Sequence, residues 1–571
     1  MLAGRGAKNI HLKKLSESLP GADRPRSIQA LQNLRRTLET AKRTANELEN
    51  MLLMFRRHIT GNQRLAPDIG AVEPLVRSVL ADCSDIVFRN FKIGNTRQAL
   101  LVFVEGLIDN ELLNENIVKP LLYYRQQIPL SGERTEETIG NFLEQQVISS
   151  AQVVQVCTLQ EILTGILSGD AALLIDGSEA ALVISIKKWE KRSVSEPTVE
   201  PAIRGPQEAF IETLRTNTSM IRRRLKTPRL KMKMLQVGRL SQTNVVITYL
   251  EGITDPALLA EVEKRINSID VDAILESGNI EELIEDNPFS IFPQLSYTER
   301  PDKLVSCLLE GQVGIMVDNT PFALIAPQSF FQMIQAPDDY YERFIGSSLI
   351  RLIRYAFLFV ALLLPASYIA VSTFHQGMIP TTLLFSMAAS RENIPFPAFV
   401  EAMIMEIFFE GLREAGVRLP RPVGQTVSIV GALVIGQAAI QAGIVSAPMV
   451  ITVSITGIAS FTVPRFNQAI AIRVLRFVLM ILAATLGLYG VFMGFMAILI
   501  HMASLRSFGV PYLSPVAPLE LSSLKDVFIR VPWWDMLTRP GFTGSMDSRR
   551  MKADLRPAAP PGRQKKKRKQ R

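Results

Sequence analysis

Four glutamates stand in a stretch that is otherwise too apolar for them. Between residues 391 and 420 the chain carries Glu401, Glu406, Glu410 and Glu414, with Arg413 among them. At about 100° per residue, Glu406, Glu410, Arg413 and Glu414 share one helical face, opposite Ile404, Ile407, Phe408 and Leu412. Such a helix either lies in a membrane interface or lines a wet cavity. Carboxylates there attract cations, so the four glutamates are candidates for an acidic vestibule. A second set is neutral: Gln425, Ser428, Gln437, Gln441, Thr452, Thr456 and Ser460, all inside an uncharged run. Gln437 and Gln441 share one face, and Thr452, Thr456 and Ser460 another, at i, i+4 spacing. Side chains of this kind serve close helix packing in lipid, or solvate an ion without holding it tightly. Taken together, the stripe makes these seven residues pore-lining candidates. Bond-making chemistry has no comparable support. The four histidines (His11, His58, His375, His501) are not in ligand spacing with one another or with Cys83, Cys157 and Cys307, and no phosphate-binding loop is present. We expect no catalytic residues, no metal and no cofactor.

The elements that position those residues are set by charge-free stretches at 355–390, 422–464 and 477–500. A helix needs roughly 20 apolar residues to cross the hydrocarbon core, so each can hold at least one crossing. Spans are expected near 355–374, 424–445, 447–463 and 477–501, with an interfacial or re-entrant segment at 378–418. Four crossings return the C-terminus to its starting side, and the 378–418 segment leaves five or six open. Arg351 and Arg354 precede the first span, and Arg473 and Arg476 the last; such basic flanks belong on the cytoplasmic side. The net charge of +9 has a local source in Lys565–Lys566–Lys567–Arg568–Lys569, read as a basic cytoplasmic tail over 514–571 with some attraction to anionic lipid. Three scattered cysteines suit a reducing compartment, and residues 1–59 lack the apolar core of an export signal.

Ahead of the spans the chain reads as water-soluble, and it repeats. Val104–Glu105–Gly106–Leu107–Ile108–Asp109 returns as Leu250–Glu251–Gly252–Ile253–Thr254–Asp255, and the hairpin signal Asp176–Gly177 returns as Asp318–Asn319. The offsets, 146 and 142 residues, differ by one short loop. The fold class expected is therefore an α/β cytosolic domain of two duplicated subdomains, followed by an all-α polytopic membrane domain. Its parts are a basic helical extension (1–66), a first α/β subdomain (67–190), a charged linker (191–235), a second subdomain (236–340), the membrane domain (341–513) and the tail. The recurrent Glu-Gly-x-x-Asp element is expected to be a strand-to-helix junction with Asp as the helix cap. The basic run from Arg222 to Lys233 could meet lipid headgroups, a partner or nucleic acid. It has no interleaved aromatic residues for base stacking. The helical pattern at 28–59 suits either an oligomerisation arm or a helix packed on its own domain.

The string from Pro420 to Ala439 (PRPVGQTVSIVGALVIGQAA) is specific, and so are Ala447–Pro448–Met449–Val450, Gly487–Leu488–Tyr489–Gly490 and the run from Ser504 to Tyr512. With Asn287–Pro288–Phe289 and Glu299–Arg300–Pro301–Asp302, they resemble the A subunit of the GerA-type spore germinant receptors over roughly 85–518. The resemblance implies a multi-pass protein of the inner (cytoplasmic) membrane of the bacterial endospore, with its N-terminal domain and tail cytoplasmic. It implies partnership with a nutrient-binding B subunit and a lipoprotein C subunit. It also implies assembly in the bilayer as a homo-oligomer, a pentamer, forming a nutrient-gated cation channel, with no enzymatic activity and no nucleic-acid partner. Alternatives are a paralogue that amplifies ion release without sensing nutrient, a non-conducting scaffold, and a secondary transporter.

Overall fold

The computed structural model describes residues 64–94, 97–123, 152–188, 197, 199–418 and 436–557. The helix expected over 28–59, the lysine-rich end of the tail, Gln425, Ser428 and most of the span expected near 424–445 lie outside them.

The soluble half contains two five-stranded antiparallel sheets. In the first, β1 (Ile86–Ile93), β2 (Arg97–Val104), β3 (Val153–Val156), β4 (Ala171–Ile175) and β5 (Ala181–Ile184) take the spatial order β1-β2-β4-β5-β3. In the second, β6 (Leu230–Val237), β7 (Thr243–Leu250), β8 (Ser296–Thr298), β9 (Val313–Val317) and β10 (Ala323–Ala326) take the order β6-β7-β9-β10-β8. The order is the same in both. Helices cover the sheets. α1 (Ile69–Val79) and α2 (Leu159–Leu167) pack on one face of the first, with Leu100, Val102 and Leu174 beneath them. Burial on both faces explains why β4 and β9 read as unbroken apolar runs rather than alternating ones. The Glu-Gly-x-x-Asp junctions form as expected. Asp109 accepts from the backbone of Glu111 and Leu112, Asp255 accepts from Ala257, and Gly106 and Gly252 take positive φ (88° and 74°).

Residues within the expected linker are instead structural. Helix α3 (Leu214–Arg224) and β6 belong to the second unit, and their basic side chains point at internal partners. Arg222 makes a two-pronged contact with Asp85, 2.8 Å on each arm, with both side chains at or below 1% exposure. Lys231 donates to the carbonyls of Val79 and Ala81, Arg223 and Arg224 pair with Glu208, and Lys233 pairs with Glu263. The run that could have met lipid or nucleic acid joins the two α/β units to each other.

Beyond helices α4 (Pro256–Asn267), α5 (Ser277–Ile284) and α6 (Pro301–Leu309) of the second unit come α7 (Phe344–Thr373), α8 (Thr381–Arg391), α9 (Ala398–Arg418), α10 (Ala447–Phe461) and α11 (Phe466–Ser504). Among the described residues two helices, α7 and α11, are long and apolar enough to cross a membrane. The basic start of α7 is clamped. Arg351 contacts Asp339 and Asp526 (3.1 and 2.9 Å), and Arg354 contacts Asp339 (3.0 Å) and the Ile334 carbonyl.

Helix α11 departs from the single span expected at 477–501. Gly487 has φ 62° and ψ −144°, which breaks the helix. A Cβ placed at residue 490 would lie 2.2 Å from the Leu482 carbonyl oxygen, and one at 494 would lie 2.6 Å from Leu479. Ala471 shares a core cluster with Met502 and Leu505. Both ends also reach the same soluble unit: Arg465 donates to the Tyr297 carbonyl (3.0 Å), and His501 meets Ser290 (3.0 Å). A straight helix of 39 residues would hold its ends roughly 58 Å apart. The segment is an antiparallel helical hairpin, with arms at 466–486 and 488–504 and its tip beside Phe374 and His375. Sequence reading missed the reversal because no Pro, Asp or Asn marks it.

The segment after α11 also differs from a free tail. Arg539 donates to the Leu309 carbonyl, Thr543 to that of Glu310, and Arg550 pairs with Glu310 at 3.2 Å. Between Arg539 and Arg550 it lies back on the second unit.

Candidate functional site

Helix α9 presents its glutamates inward. Ile407 and Phe408, on the opposite face, are more than half exposed, whereas Glu401 and Glu406 are fully buried. A helix resting on a membrane surface would keep its charges in water, and here Glu401 and Glu406 are withdrawn from it. Of the two readings of this segment, the arrangement matches a helix whose polar side faces a protein interior.

Every one of the four candidate glutamates meets an arginine. Glu401 pairs with Arg391 at 3.2 Å and accepts from the Ser446 amide and hydroxyl, both at 2.8 Å. Ser446 is the N-cap of α10, so this carboxylate sits at the positive end of that helix. Glu406 meets Arg476 at 2.8 Å, with both side chains at 0% exposure. Glu410 meets Arg473 (2.8 Å), Arg413 (3.3 Å) and Arg476 (3.3 Å). Glu414 pairs with Arg418 near the surface. The cluster of Glu406, Glu410, Arg413, Arg473 and Arg476 thus carries two acids and three bases. Sequence reading treated Arg473 and Arg476 only as a span flank. Their i, i+3 spacing on one face of an apolar helix was the available signal.

The neutral candidates divide into two groups. Thr452, Thr456 and Ser460 are buried, and each returns its hydroxyl to a carbonyl of its own helix: Pro448 (2.9 Å), Thr452 (2.8 Å) and Gly457 (2.7 Å). Ser460 also accepts from Arg413 at 2.6 Å, which ties this stripe to the charged cluster. Gln437 and Gln441 lie exposed on the outer side of the chain. Gly457 lets α9 come close, since a Cβ there would lie 2.5 Å from the Phe409 ring.

Below the cluster, where the helices meet the second α/β unit, lies a cavity of about 910 Å³. Arg413 and Arg473 reach it from the helices, and Glu276 and Glu281 from the soluble wall. Burial, with Glu285 and Glu276 nearby, pushes the Glu281 carboxyl up to about 7. Burial acts on Glu276 in the same direction, but hydrogen bonds from Ser277, Gly278 and Thr320 outweigh it and hold that carboxyl below its usual value. Arg465 bridges the two walls by pairing with Glu200. Among the described residues no group of side chains could hold a metal ion. The arrangement can do electrostatic work: it holds charge away from water and can exchange partners if helices move.

Residues 75–542 match the profile of the family described as Bacillus/Clostridium GerA spore germination protein. The chain is 51% identical over 460 residues to an uncharacterized membrane protein, YfkQ, of Bacillus subtilis strain 168, covering 80% of this chain and 88% of that one. It is 44% identical over 497 residues to spore germination protein KA of the same organism (86% and 90%) and 40% identical over 474 residues to spore germination protein GerLA of Bacillus cereus (83% and 95%). Among solved structures, the N-terminal domain of the A subunit of the Bacillus megaterium spore germinant receptor GerK3 aligns with 34% identity and a TM-score of 0.37, over 47% of this chain and 98% of that one.

Proposed function

The chain belongs to the Bacillus/Clostridium GerA spore germination protein family, as a germinant-receptor A-type subunit, and from that membership we propose that it forms a nutrient-gated cation channel. It does so as a multi-pass homo-oligomer in the inner spore membrane, with a nutrient-binding B subunit and a lipoprotein C subunit. Its α/β half faces the cytoplasm, and the shared strand order of the two sheets reflects an internal duplication.

The observation that carries this reading is the Glu406/Glu410–Arg473/Arg476 cluster buried between α9 and α11. Ionisable groups inside apolar helices are costly, and they persist where charge moves or is switched. In the closed state arginines neutralise the glutamates. Nutrient binding on the B subunit favours a state in which α9 and α11 separate, freeing Glu406 and Glu410 to attract cations. That shift requires the ligand to bind the open state more tightly. Gln425, Ser428, Gln437, Gln441, Thr452, Thr456 and Ser460 form the neutral part of the path, with Glu401 and Glu414 at its ends.

The test is potassium efflux from vegetative cells making this chain with its partner subunits, before and after nutrient addition. Nutrient-dependent efflux that falls when Gln437 or Thr456 is replaced by Leu supports the channel. No efflux from an assembled membrane complex assigns the chain a scaffold role instead.

A further inference from the structure

The cavity at the junction has two walls of opposite charge, and each has capacity left over. On the helix side, Arg413 packs its guanidinium 4.7 Å from the Phe461 ring centre, and Arg473 lies 5.7 Å from that of Phe466. Both rings are substantially exposed (69% and 48%), so the mouth of the cavity is an aromatic rim around arginine. The Nε of Arg413 and one terminal nitrogen of Arg465 are buried without a hydrogen-bond partner among the described residues. On the α/β side, Glu281 lines the same space, and the groups acting on its carboxyl among the described residues are the neighbouring acids Glu285 and Glu276, with no hydrogen-bond donor or cation. The other acids there are already engaged: Glu276 accepts from Ser277, Gly278 and Thr320 and adds only its charge, Glu200 pairs with Arg465, and Asp338 accepts from the Ile203 amide at 3.1 Å.

We propose that this cavity holds the headgroup of an aminophospholipid. The phosphate sits against Arg413 and Arg473, the primary ammonium faces Glu276 and Glu281, and the acyl chains leave past Phe461 and Phe466. The charge pattern selects among headgroups. Inorganic phosphate satisfies only the basic wall, and a glycerol headgroup offers the acidic wall neutral hydroxyl donors but no positive charge; both bring net negative charge close to Glu276 and Glu281. A choline headgroup has the right charges, but its quaternary nitrogen cannot donate a hydrogen bond to a carboxylate. Among these headgroups only a primary ammonium brings the acidic wall both a positive charge and hydrogen-bond donors. Basic pockets between helices at the cytoplasmic membrane level are a known form of lipid recognition; the facing acidic wall is what narrows the choice here. This inference rests on the reading that α7–α11 lie in a membrane.

The experiment uses the full-length chain, extracted in detergent and presented with phosphatidylethanolamine, phosphatidylglycerol or phosphatidylcholine, with retained lipid counted by native mass spectrometry. We expect phosphatidylethanolamine to be retained about tenfold over the other two, as one charge-assisted hydrogen bond implies. Glu281→Gln should remove that preference and leave residual phospholipid binding, whereas Arg413→Gln with Arg473→Gln should abolish retention. Phe461→Ala, an exposed rim change outside the ion pairs, should weaken retention in a chain that still elutes as folded. Equal retention of all three lipids, indifference to Glu281→Gln, or displacement of lipid by excess inorganic phosphate would overturn the proposal. Recovery of the protein without detergent would sink the membrane reading itself. Detergent-dependent extraction with no lipid retained sinks only the headgroup site.

Discussion

Glu406 and Arg476 are both fully buried, so removing Arg476 strands the Glu406 charge, and removing Glu406 leaves Arg476 only its longer contact with Glu410 at 3.3 Å. Glu406→Gln should destabilise the chain by roughly 3–5 kcal/mol, with the Arg476→Gln/Glu406→Gln pair recovering part of that loss. Thermal unfolding in detergent reads both, and additive single effects would refute a direct pair. Glu281 gives a different signal. With its folded carboxyl pushed up to about 7 from 4.5, the folded chain holds a proton that the unfolded chain has released between those values. Stability therefore falls as pH rises through that window. Glu281→Gln should raise the unfolding midpoint at pH 7.5 and leave it unchanged near pH 4. At this scale the sequence told half the story. The glutamates of α9 were legible from their spacing in an apolar stretch. Glu401 and Glu414 find nearby arginines, but the Arg473 and Arg476 partners of Glu406 and Glu410 come from a helix more than 60 residues away, and no local pattern announces a pairing that tertiary packing creates.

The elements were read best where a local rule is strict. Asp109 and Asp255 as caps, and Gly177 and Asn319 as left-handed hairpin residues (φ 83° and 65°), follow from steric and hydrogen-bonding requirements of one turn. The α11 hairpin follows no such rule. Its signal is the Gly487, Gly490, Gly494 series, and small residues in an apolar run serve close packing of any two helices equally well. Two measurements address the reversal. In a chain without its native cysteines, the pair Ala471→Cys and Met502→Cys should cross-link on oxidation; a straight helix would keep these positions far apart. Gly487→Val should cost about 1–3 kcal/mol, because a β-branched residue is forced to positive φ, and unchanged thermal stability would argue against the turn.

Across the whole molecule, buried ion pairs sit at each joint. Arg222–Asp85 joins the two α/β units, Arg351 and Arg354 with Asp339 join the soluble half to α7, and Arg465 with Glu200 joins it to α11. Asp339→Asn leaves two buried arginines short of charge, and proteolysis of the α7 start should accelerate if that joint transmits order between the halves. The charge-free stretches marked where the long apolar helices α7 and α11 follow the α/β units. They could not reveal the joints, because a buried arginine and a surface arginine look alike in a sequence. The hairpin also bears on how the chain is made. Arg473 and Arg476 lie in the first half of its first arm, near its base, and Arg506 follows its second. On the membrane reading proposed above, a translocon receiving this segment need never carry an arginine across, since both arms can enter together as a pre-paired wedge with the basic ends left behind.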